Sequence, residues 1–547
     1  LLAVAAAAAG AATGWHPAGS ARGGTVVIDE SHSNWEWTDI PFDTRLYGQR
    51  SLYNYALWKD WIELHHQTRV VRSPLTAADL QSASVLVIKT PTSPYDRDTV
   101  RLIERFVRNG GGLWLIGDHT NLYGMSAVLN RVAAPYGLSF AYDDLFPLDH
   151  ESEDRFEPDR LWPHPMLRGI GVYPFETSCS LRVPWGARHV MLGRRLASED
   201  VDYGHTNFFG DIRLQASERF GVFTQAAELV HGAGRVAAFS DSTNFSNFSM
   251  LWPGRRELVR NTIDWLDRTE PAWSGPVRLA LAGLALALLA TACALGVPAG
   301  ATRAAALWIC LGIQVACAAA TSSWCRSGFQ ERPPLRAMRT IAFDTSVSRF
   351  DLPILPPVMT RRPPGWQDFS AFFINAARTG RWPEASGDLE SALLHRDAVV
   401  MVLPVQPLTR ARHEALASFF RRGGRLLLVD STLETGSAAA GWAAPFGFEI
   451  QRVLRPLAGE PAPFAPALSV EVGKGIRRKV TASGAVLAWR DVGKGRMVVM
   501  LDGALCSDRA LGGVYATPDP YQTSLHRTQA EALDLLLEPV QTGAAGL

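Results

Sequence analysis

The sequence has almost no surplus of charge of either sign and few cysteines outside one short region. Its 54 lysines and arginines balance 53 aspartates and glutamates, which leaves a net charge of +1. This balance excludes the strongly basic surface with which proteins bind nucleic acid. Of six cysteines, four lie between positions 293 and 325. For the other two, Cys179 and Cys506, we expect buried thiols, with a disulfide bridge as the alternative.

Two uncharged apolar runs, Leu279 to Val297 and Ala304 to Cys325, are each long enough to cross a bilayer, which takes about 20 residues. Both are apolar on all faces, which favours a transmembrane hairpin over residues 277–325 rather than two buried core helices. The alanine-rich run Leu1 to Thr13 resembles the tail of a signal peptide or signal anchor. A hairpin returns the chain to the side it left. We therefore expect both flanking regions outside the cytoplasm, at the cell (inner) membrane.

One stretch, Val85 to Asn121, organises the first half of the chain. Val85 to Ile88 and Leu113 to Ile116 are short apolar runs typical of strands buried on both faces. Between them, apolar residues at helical spacing follow Ser93-Pro94, which supplies an N-cap and a first-turn proline. A strand, a crossover helix and a strand of this length predict a parallel unit of a sheet.

The same stretch occurs again at residues 398–432, which indicates a duplicated domain. The flanking blocks match in the same order: Thr25 to Asp29 with Thr340 to Asp344, Ala133 to Gly137 with Ala443 to Gly447, and Gly232 to Arg235 with Gly493 to Arg496. This alignment pairs Asp29 with Asp344, Asp118 with Asp430 and Asp241 with Asp502.

These patterns predict an α/β fold with two doubly wound, flavodoxin-like parallel-sheet domains that flank the transmembrane hairpin. The predicted domains span residues 25–268 and 339–537. Residues 1–24 are interpreted as a truncated signal peptide or anchor and a linker. Residues from about Tyr142 to Val230 have a shorter counterpart in the second repeat.

Polar clusters follow three predicted strands of the first domain, at the sheet edge where open parallel sheets bind their ligands. The candidate ligand-binding residues are Asp29, His32, Asp118, His119, Asn121, Asp241 and Asn244. We expect His32 and His119 to lie close together and His119 to be exposed at its strand end. The alternative is that each aspartate caps the helix that follows, which requires no ligand.

No cofactor is predicted, and the question of a bound metal stays open. Asp29, His32, Asp118 and His119 offer donors that suit a divalent metal or a polar ligand. The acidic run Asp149 to Asp154 lacks the alternating spacing of an EF-hand loop, so we interpret it as a solvated loop.

The order of these blocks resembles class I glutamine amidotransferase-like domains, in the divergent form found in bacterial membrane proteins. The resemblance rests on Asp29-Glu-Ser-His32, Gly110 to Gly112, Gly117-Asp-His-Thr-Asn121, His164-Pro-Met-Leu-Arg-Gly169 and the strand that ends at Asp241. Enzymes of that superfamily carry a nucleophilic Cys on the turn after a central strand, with a His and a Glu after a later strand. The turns here, Gly117 to Asn121 and Val429 to Leu433, hold no Cys. The resemblance therefore implies the fold without amidotransferase activity.

The resulting prediction is a membrane-anchored protein whose duplicated, catalytically degenerate domains act in binding or scaffolding at the cell envelope. An enzyme is the less favoured alternative, as a metal-assisted or His/Asp-dependent hydrolase in the first domain. A third alternative is a subunit of a membrane complex, whose hairpin contacts partner helices through small residues such as Ala316 and Ala320. The expected partners are an envelope ligand or membrane-complex subunits, and not nucleic acid.

Overall fold

The computed structural model describes residues 1–148, 154–200, 213–294, 301–352, 364–432, 434–456, 464–472, 475–513 and 517–540. The chain divides into two compact units. Unit 1 comprises Leu1–Asp39 and Tyr55–Arg336, and unit 2 comprises Ile40–Asn54 and Ala337–Leu547. Each unit is built on its own mixed sheet.

The strands of unit 1 are β1 (Ser20–Ala21), β2 (Thr25–Asp29), β3 (Thr68–Val71), β4 (Ala83–Lys89), β5 (Gly112–Ile116), β6 (Ser139–Phe140), β7 (Asp143–Pro147), β8 (Asp154–Phe156), β9 (Tyr173–Phe175), β10 (Leu181–Arg182), β11 (Arg188–Asp200), β12 (Arg219–His231), β13 (Gly234–Phe239) and β14 (Arg268–Thr269). Those of unit 2 are β15 (Thr340–Asp344), β16 (Trp382–Ser386), β17 (Ala398–Val402), β18 (Arg425–Asp430), β19 (Phe448–Pro456), β20 (Phe464–Val472), β21 (Arg477–Val480), β22 (Val486–Val492) and β23 (Gly495–Leu501).

The α-helices, in chain order, are α1 (Leu2–Gly14), α2 (Gln49–Leu52), α3 (Ala56–Glu63), α4 (Ala77–Gln81), α5 (Arg97–Arg108), α6 (Met125–Ala133), α7 (Arg255–Leu266), α8 (Ser274–Ala294), α9 (Ala301–Ser327), α10 (Ser370–Ala376), α11 (Leu389–His395), α12 (Arg410–Arg421), α13 (Ala439–Ala443), α14 (Asp508–Leu511) and α15 (Pro520–Leu537). Helix α2 and helices α10 to α15 belong to unit 2, and the others belong to unit 1.

The main sheet of unit 1 has the strand order β3-β2-β4-β5-β13-β12-β11-β7. Its first five strands are parallel, and β12, β11 and β7 continue it as antiparallel strands. Every residue of β4 and β5 is buried, as expected for strands that read as near-continuous apolar runs. The predicted strand, helix and strand are confirmed as β4, α5 and β5. The predicted N-cap is wrong, because α5 begins at Arg97 and its N-cap is Asp96, which accepts the N–H of Thr99 at 2.7 Å, and not Ser93.

The main sheet of unit 2 repeats this order as β16-β15-β17-β18-β23-β22-β21. Five of its strands are parallel and the last two are antiparallel. The prediction of purely parallel sheets is wrong in this respect, and tight turns explain why. Gly232 and Gly493, with φ values of 63° and 60°, lie in the turns that precede β13 and β23. Such a turn joins antiparallel neighbours, because parallel strands need a crossover of a dozen or more residues.

A shared backbone hydrogen bond sets the correspondence between the two sheets. Thr90 donates its N–H to the carbonyl oxygen of Ile116, and Leu403 donates its N–H to that of Val429, each at 2.9 Å. Thr90 and Leu403 also share a left-handed backbone, with φ values of 40° and 50°. Ile116 and Val429 are therefore equivalent positions.

This correspondence corrects one predicted pair of aspartates. The residue equivalent to Asp118 is Ser431, two positions after the shared bond, and Asp430 lies one position earlier. The sequence alignment slipped at the glycine run, where Gly110 and Gly423 are equivalent and share φ values of 102° and 96°. Because side chains alternate across an extended strand, the slip puts Asp118 and Asp430 on opposite faces of their sheets.

The other two pairs of aspartates are confirmed. Asp29 and Asp344 end the equivalent strands β2 and β15. Phe239 of β13 pairs with Ile116, and Met500 of β23 pairs with Val429, the residue equivalent to Ile116. Asp241 and Asp502 each lie two residues beyond these paired positions, so they are equivalent. The duplicated fold therefore keeps an aspartate at two of the three strand ends that we compared.

Two helices of unit 1 are long and apolar enough to cross a membrane. The spans are Ser274–Cys293 and Ala304–Ser327, each with a mean hydropathy of 1.8, and only 11% and 6% of them is buried. Residues 295–300, where the predicted turn begins, lie outside the described residues. Length and composition are the basis of this assignment, so the side of the membrane on which each unit lies stays a prediction.

Candidate functional site

The three aspartates of unit 1 singled out above lie at one edge of its sheet. Asp29 ends β2, Asp118 follows β5 by two residues, and Asp241 follows β13 by two residues. Strands β2, β4, β5 and β13 are adjacent and parallel. Their carboxyl ends therefore form one edge, where ligands of such sheets bind.

Asp29 and His32 form one hydrogen-bonded group at this edge. The Asp29 carboxylate accepts hydrogen bonds from the Tyr95 hydroxyl at 2.6 Å and from the Ser31 hydroxyl at 2.6 Å, and His32 Nδ1 lies 3.2 Å away. The His32 ring stacks on Tyr95 with centroids 3.7 Å apart. Burial opposes ionisation of Asp29, but the hydrogen bonds from His32, Ser31 and Tyr95 outweigh it and lower the pKa of the carboxyl.

A second group joins Asp118 to a residue that the sequence did not single out, Glu36. The Ser242 hydroxyl oxygen lies 2.7 Å from Asp118 Oδ2 and 3.0 Å from Glu36 Oε1. A hydroxyl has one proton to donate, so it serves only one of the two carboxyls as donor. For both contacts to be hydrogen bonds, the other carboxyl must itself be protonated and donate to Ser242.

Burial keeps protons on this group, which we call the acid cluster: Glu36, Asp118 and Asp241. Desolvation raises the pKa of Asp118 to about 7, against hydrogen bonds from Ser242 and the His119 N–H that lower it. Desolvation and the nearby Asp118 carboxylate raise the pKa of Asp241 to about 7. Desolvation also raises the pKa of Glu36 well above its ordinary value. Asp118 and Asp241 therefore gain and lose protons close to neutral pH, and Glu36 keeps its proton to a higher pH than an ordinary glutamate does.

His119 is buried, which corrects the expectation of an exposed strand-end side chain. Its exposed fraction is 5%. Its Nδ1 lies 3.0 Å from the Thr120 hydroxyl, and its Nε2 lies 3.6 Å from Asp118 Oδ1. Burial lowers the pKa of the imidazole, although the Asp241 carboxylate opposes that shift. His119 therefore belongs with the acid cluster, whereas His32 belongs with Asp29 and Tyr95.

The two candidate asparagines have different roles. Asn121 Oδ1 accepts the N–H of Ala127 at 2.9 Å in the first turn of α6, which is helix capping. Asn244 donates from Nδ2 to Asp241 Oδ1 at 3.0 Å and accepts from the Tyr173 hydroxyl at 3.2 Å. Asn244 therefore orients Asp241, and Asn121 supports the turn that carries His119.

Lys89 is a further residue of the site that the sequence analysis missed. It is fully buried at the end of β4, donates to the Glu36 carbonyl oxygen at 2.5 Å, and lies 3.2 Å from Glu30 Oε1. Its ammonium also lies 4.9 Å from the centre of the Tyr55 ring. A lysine that ends an otherwise apolar buried strand requires a partner, and this was the available signal.

Backbone strain is concentrated beside the acid cluster. Glu36, Thr120, Asn121 and Tyr123 have φ values of 56°, 53°, 52° and 49°. Each such residue costs roughly 1–3 kcal/mol, and such residues are found mostly at active sites, ligand clamps and switches. Three of the four lie in the turn His119–Gly124, directly after Asp118.

The equivalent strand ends of unit 2 lack most of these groups. Ser431 stands at the position of Asp118, Gly503 at that of Ser242 and Val402 at that of Lys89. Asp344 accepts hydrogen bonds from the N–H groups of Ser346 and Val347, both at 3.1 Å, within its own loop.

Two cavities lie in unit 2. One of about 390 Å³ is lined by residues that include Asp351, Trp366 and Glu434, and one of about 660 Å³ is lined by residues that include Arg410 and His413.

No group of three His, Cys, Asp or Glu side chains among the described residues is arranged to hold a metal ion. The two histidines of the metal hypothesis lie in different hydrogen-bonded groups, so the described geometry does not favour it. Residues 149–153 of the predicted acidic loop lie outside the described residues, and Asp154 pairs with Arg160 at 2.8 Å. Cys179 and Cys506 are buried free thiols, as predicted.

Comparison with known proteins adds little to this geometry. No family model and no curated protein matches the chain. The N-terminal domain of IFT52 is similar to it at 12% identity over 44% of this chain and 96% of that one, with a TM-score of 0.32. A cytoplasmic protein from Salmonella typhimurium is similar at 16% identity over 45% and 100%, with a TM-score of 0.27. A ThuA-like protein from Parabacteroides merdae is similar at 13% identity over 44% and 89%, with a TM-score of 0.26. Likenesses at these TM-scores carry no conclusion about fold or function.

Proposed function

We propose that unit 1 binds an uncharged polar ligand at the carboxyl edge of its sheet, within a membrane-anchored protein of the cell envelope. The observation that carries this proposal is the acid cluster, in which Glu36 and Asp118 share the Ser242 hydroxyl. The strained turn that follows Asp118 supports the same interpretation, because strain persists where the surrounding structure enforces it for function.

The protonation of the acid cluster indicates the charge of the ligand. With pKa values of about 7, Asp118 and Asp241 carry protons for much of the time at neutral pH. An anionic ligand would be repelled by whichever carboxyl is ionised, and a cationic ligand would require the carboxyls to lose their protons. A ligand with hydroxyl or amide groups can donate to and accept from these side chains in either state.

An aromatic pair next to the acid cluster narrows the class of ligand. Trp35 precedes Glu36 in the chain, and Tyr123 lies in the strained turn. Their ring centroids are 5.2 Å apart, and Tyr123 is 54% exposed. Aromatic rings bury apolar surface at low cost in conformational entropy. Neutral saccharides combine an apolar face with hydroxyl donors, and they are the class that we propose.

The proposal retains the amidotransferase-like, doubly wound description of both units. In each unit the five parallel strands, numbered along the chain, have the order 2-1-3-4-5, which supports a flavodoxin-like arrangement. Unit 2, which lacks equivalents of Asp118 and Ser242, then has a scaffolding role.

A His/Asp-dependent hydrolase in unit 1 is the second candidate. A carboxyl with a pKa near 7 exchanges protons at neutral pH, which is the property of a general acid or base. Asp118 is 1% and Asp241 is 0% exposed, so a substrate, like the proposed ligand, reaches these carboxyls only if the turn His119–Gly124 moves. Hydrolysis requires in addition that one carboxyl lie within hydrogen-bond reach of the bond that breaks, and for this reason binding is the first candidate.

The test is ligand-dependent stabilisation of the full chain in detergent. Neutral disaccharides should raise the melting temperature, because a ligand that binds only the folded state stabilises it. A disaccharide of the same size that contains a uronic acid should not raise the melting temperature. Asp118→Asn should abolish the shift, and Asp430→Asn, at the same strand end of unit 2, should leave it intact. Hydrolysis of a disaccharide that disappears with Asp118→Asn would favour the hydrolase, and no shift with any neutral saccharide would refute the proposed class of ligand.

The envelope location has a separate test. Reporter fusions after Arg268 and after Arg339 should both report the outside of the cytoplasm, because a hairpin separates them. An inside signal at both positions would remove the envelope assignment and leave the ligand proposal standing.

A further inference from the structure

Helix α1 packs closely against the second apolar helix, α9. A Cβ atom at Gly10 would lie 2.3 Å from the carbonyl oxygen of Gln314, and one at Gly14 would lie 2.3 Å from that of Ala318. A side chain at either position would force the two helices apart, so the two backbones touch at these glycines. Two small residues four apart on one helix face are the pattern by which helices approach closely in membranes.

Residues 15–21, which follow α1 and which the sequence suggested form a linker, are bound to unit 1. Arg188 donates to the carbonyl oxygen of Trp15 at 2.8 Å, and Arg235 donates to those of Pro17 and Ala18 at 2.9 and 3.1 Å. Strand β1 then pairs with β14. The segment that joins α1 to the sheet is therefore held along its length by unit 1, and it is not a free stalk.

Three tryptophans meet at the same end of α1, α8 and α9. Trp15 stacks on Trp324 with ring centroids 5.8 Å apart, and it meets the edge of Trp273 at 5.8 Å. Trp15 follows the last residue of α1, Trp273 precedes the first residue of α8, and Trp324 lies in the last turn of α9. Tryptophans concentrate at the membrane–water interface, so this cluster marks the end of the bundle that adjoins the sheet.

We propose that α1 is retained in the mature protein as the third helix of an intramembrane bundle, seated on α9 through Gly10 and Gly14. This inference rests on the proposed membrane anchoring by α8 and α9. The 13 residues Leu2–Gly14 of α1 extend about 20 Å from the tryptophan cluster into the hydrocarbon layer. A leader peptide that is cleaved off would need no surface that fits α9. Gly10 and Gly14 instead let the backbone of α1 touch the backbone of α9.

The first measurement is the intact mass of the full chain, tagged at its C-terminus and purified from membranes. Retention predicts a mass that includes Leu1 to Gly14. A mature chain that begins after Gly14 would overturn the proposal. Extraction of the whole protein from membranes by alkaline carbonate would instead refute the anchoring, whatever the mass.

The second measurement tests the contact itself. A Cβ at Gly10 would lie 2.9 Å from Cys317 Cβ, so Gly10→Cys should form a disulfide with the native Cys317 under mild oxidation after a small shift. Val4→Cys, at a position 56% exposed, is the control and should not link. Equal linking from both positions, or none from Gly10→Cys, would show that the helices do not pack in this way.

Leucine substitutions provide a matched comparison within the bundle. Gly10→Leu and Gly14→Leu should lower the melting temperature in detergent, because each inserts a side chain between touching backbones. Gly283→Leu and Gly312→Leu, on α8 and α9, should leave it unchanged, since a Cβ there meets nothing within 4 Å. Equal effects of the two pairs would contradict the packing of α1.

Discussion

The two units share a sheet but differ in what lies at its carboxyl edge. In both, an aspartate at the end of the first parallel strand accepts the N–H of a serine two residues later, Ser31 at 2.9 Å and Ser346 at 3.1 Å. Unit 1 adds a buried lysine, a serine hydroxyl that lies between two carboxyls, and three left-handed residues in the turn after Asp118. Among the described residues of unit 2, Asp502 itself has a left-handed backbone, with a φ of 67°. The comparison teaches that the aspartate that both units keep at the first strand end maintains a turn of the fold, whereas the residues that unit 1 adds belong to the ligand site that we propose.

The largest expected effect tests the part that the units share. Arg235 and Arg496 are equivalent, fully buried, and donate to the carbonyl oxygens of Trp265 and Leu535 near the ends of α7 and α15. Removing one partner of a buried ion pair costs about 3–5 kcal/mol. Arg235→Ala and Arg496→Ala should both reach that range, because each arginine pairs with a carboxylate that is only 9% exposed, Glu270 and Asp491.

Urea unfolding of the full chain in detergent, with hydrogen exchange to locate the loss, measures both costs. Arg235→Ala should weaken protection in unit 1 and Arg496→Ala in unit 2. A clearly smaller cost for one of the variants would mean that the exposure of the carboxylate partner does not decide what the buried arginine contributes to stability.

The second prediction concerns His119 and its equivalent in unit 2, Thr432. His119→Ala should destabilise unit 1 by about 1–3 kcal/mol, because the imidazole is buried and its loss leaves a cavity and an unpaired Thr120 hydroxyl. Thr432→Ala should cost less, because Thr432 is partly exposed. A cost for His119→Ala within about 0.5 kcal/mol would restore the expectation of an exposed side chain.

The third prediction uses pH to separate the units. The folded-state pKa of Asp118, about 7, exceeds the ordinary value of 3.8 for an aspartate. The folded state then binds more protons than the unfolded state between those values, so the free energy of unfolding falls as pH rises from about 4 to 7. Asp118→Asn removes the contribution of Asp118 to this dependence, while Asp241 and Glu36 keep theirs. The variant should stabilise unit 1 at pH 8 by more than about 1 kcal/mol, since one pKa unit is worth 1.36 kcal/mol.

Hydrogen exchange of β5 and of β18 at pH 5 and pH 8 provides the measurement for both units at once. Asp430→Asn is the control, because Asp430 lies on the opposite sheet face from the position of Asp118. A wild-type stability of unit 1 that rises from pH 5 to pH 8 would contradict the protonated acid cluster.

The smallest expected effect tests the equivalence of the two turns. Ser31 and Ser346 each donate a hydroxyl hydrogen bond to the preceding strand-end aspartate, at 2.6 and 2.5 Å. Each alanine substitution should cost about 0.5–1.5 kcal/mol, the usual net value of one hydrogen bond. Thermal unfolding of the two single variants should give similar costs, and a clear difference would show that His32 and Tyr95 alter the turn in unit 1.

Much of the fold was readable in the sequence for a simple physical reason. Strands β4, β5, β17 and β18 are buried on both faces, so their sequences are short apolar runs. The antiparallel extensions were missed because β11 and β12, of 13 residues each, mix exposed and buried positions and have register shifts. Irregular alternation of this kind removes the period on which strand prediction depends.

By itself, the sequence determined the duplication, the strand ends and the presence of acids and histidines at one edge of the first sheet. The tertiary structure decided which of them meet. Glu36 reaches Ser242 across 206 positions of the chain, and no local pattern encodes a contact at that separation. The tertiary structure also decided the register that separates Asp118 from Asp430. The glycine runs of the two repeats align equally well in two registers that differ by one residue, and the hydrogen bonds between the strands decide which register is correct. Burial then set the protonation of the carboxyls, since the cost of an unsolvated charge depends on what surrounds it and not on its neighbours in the chain.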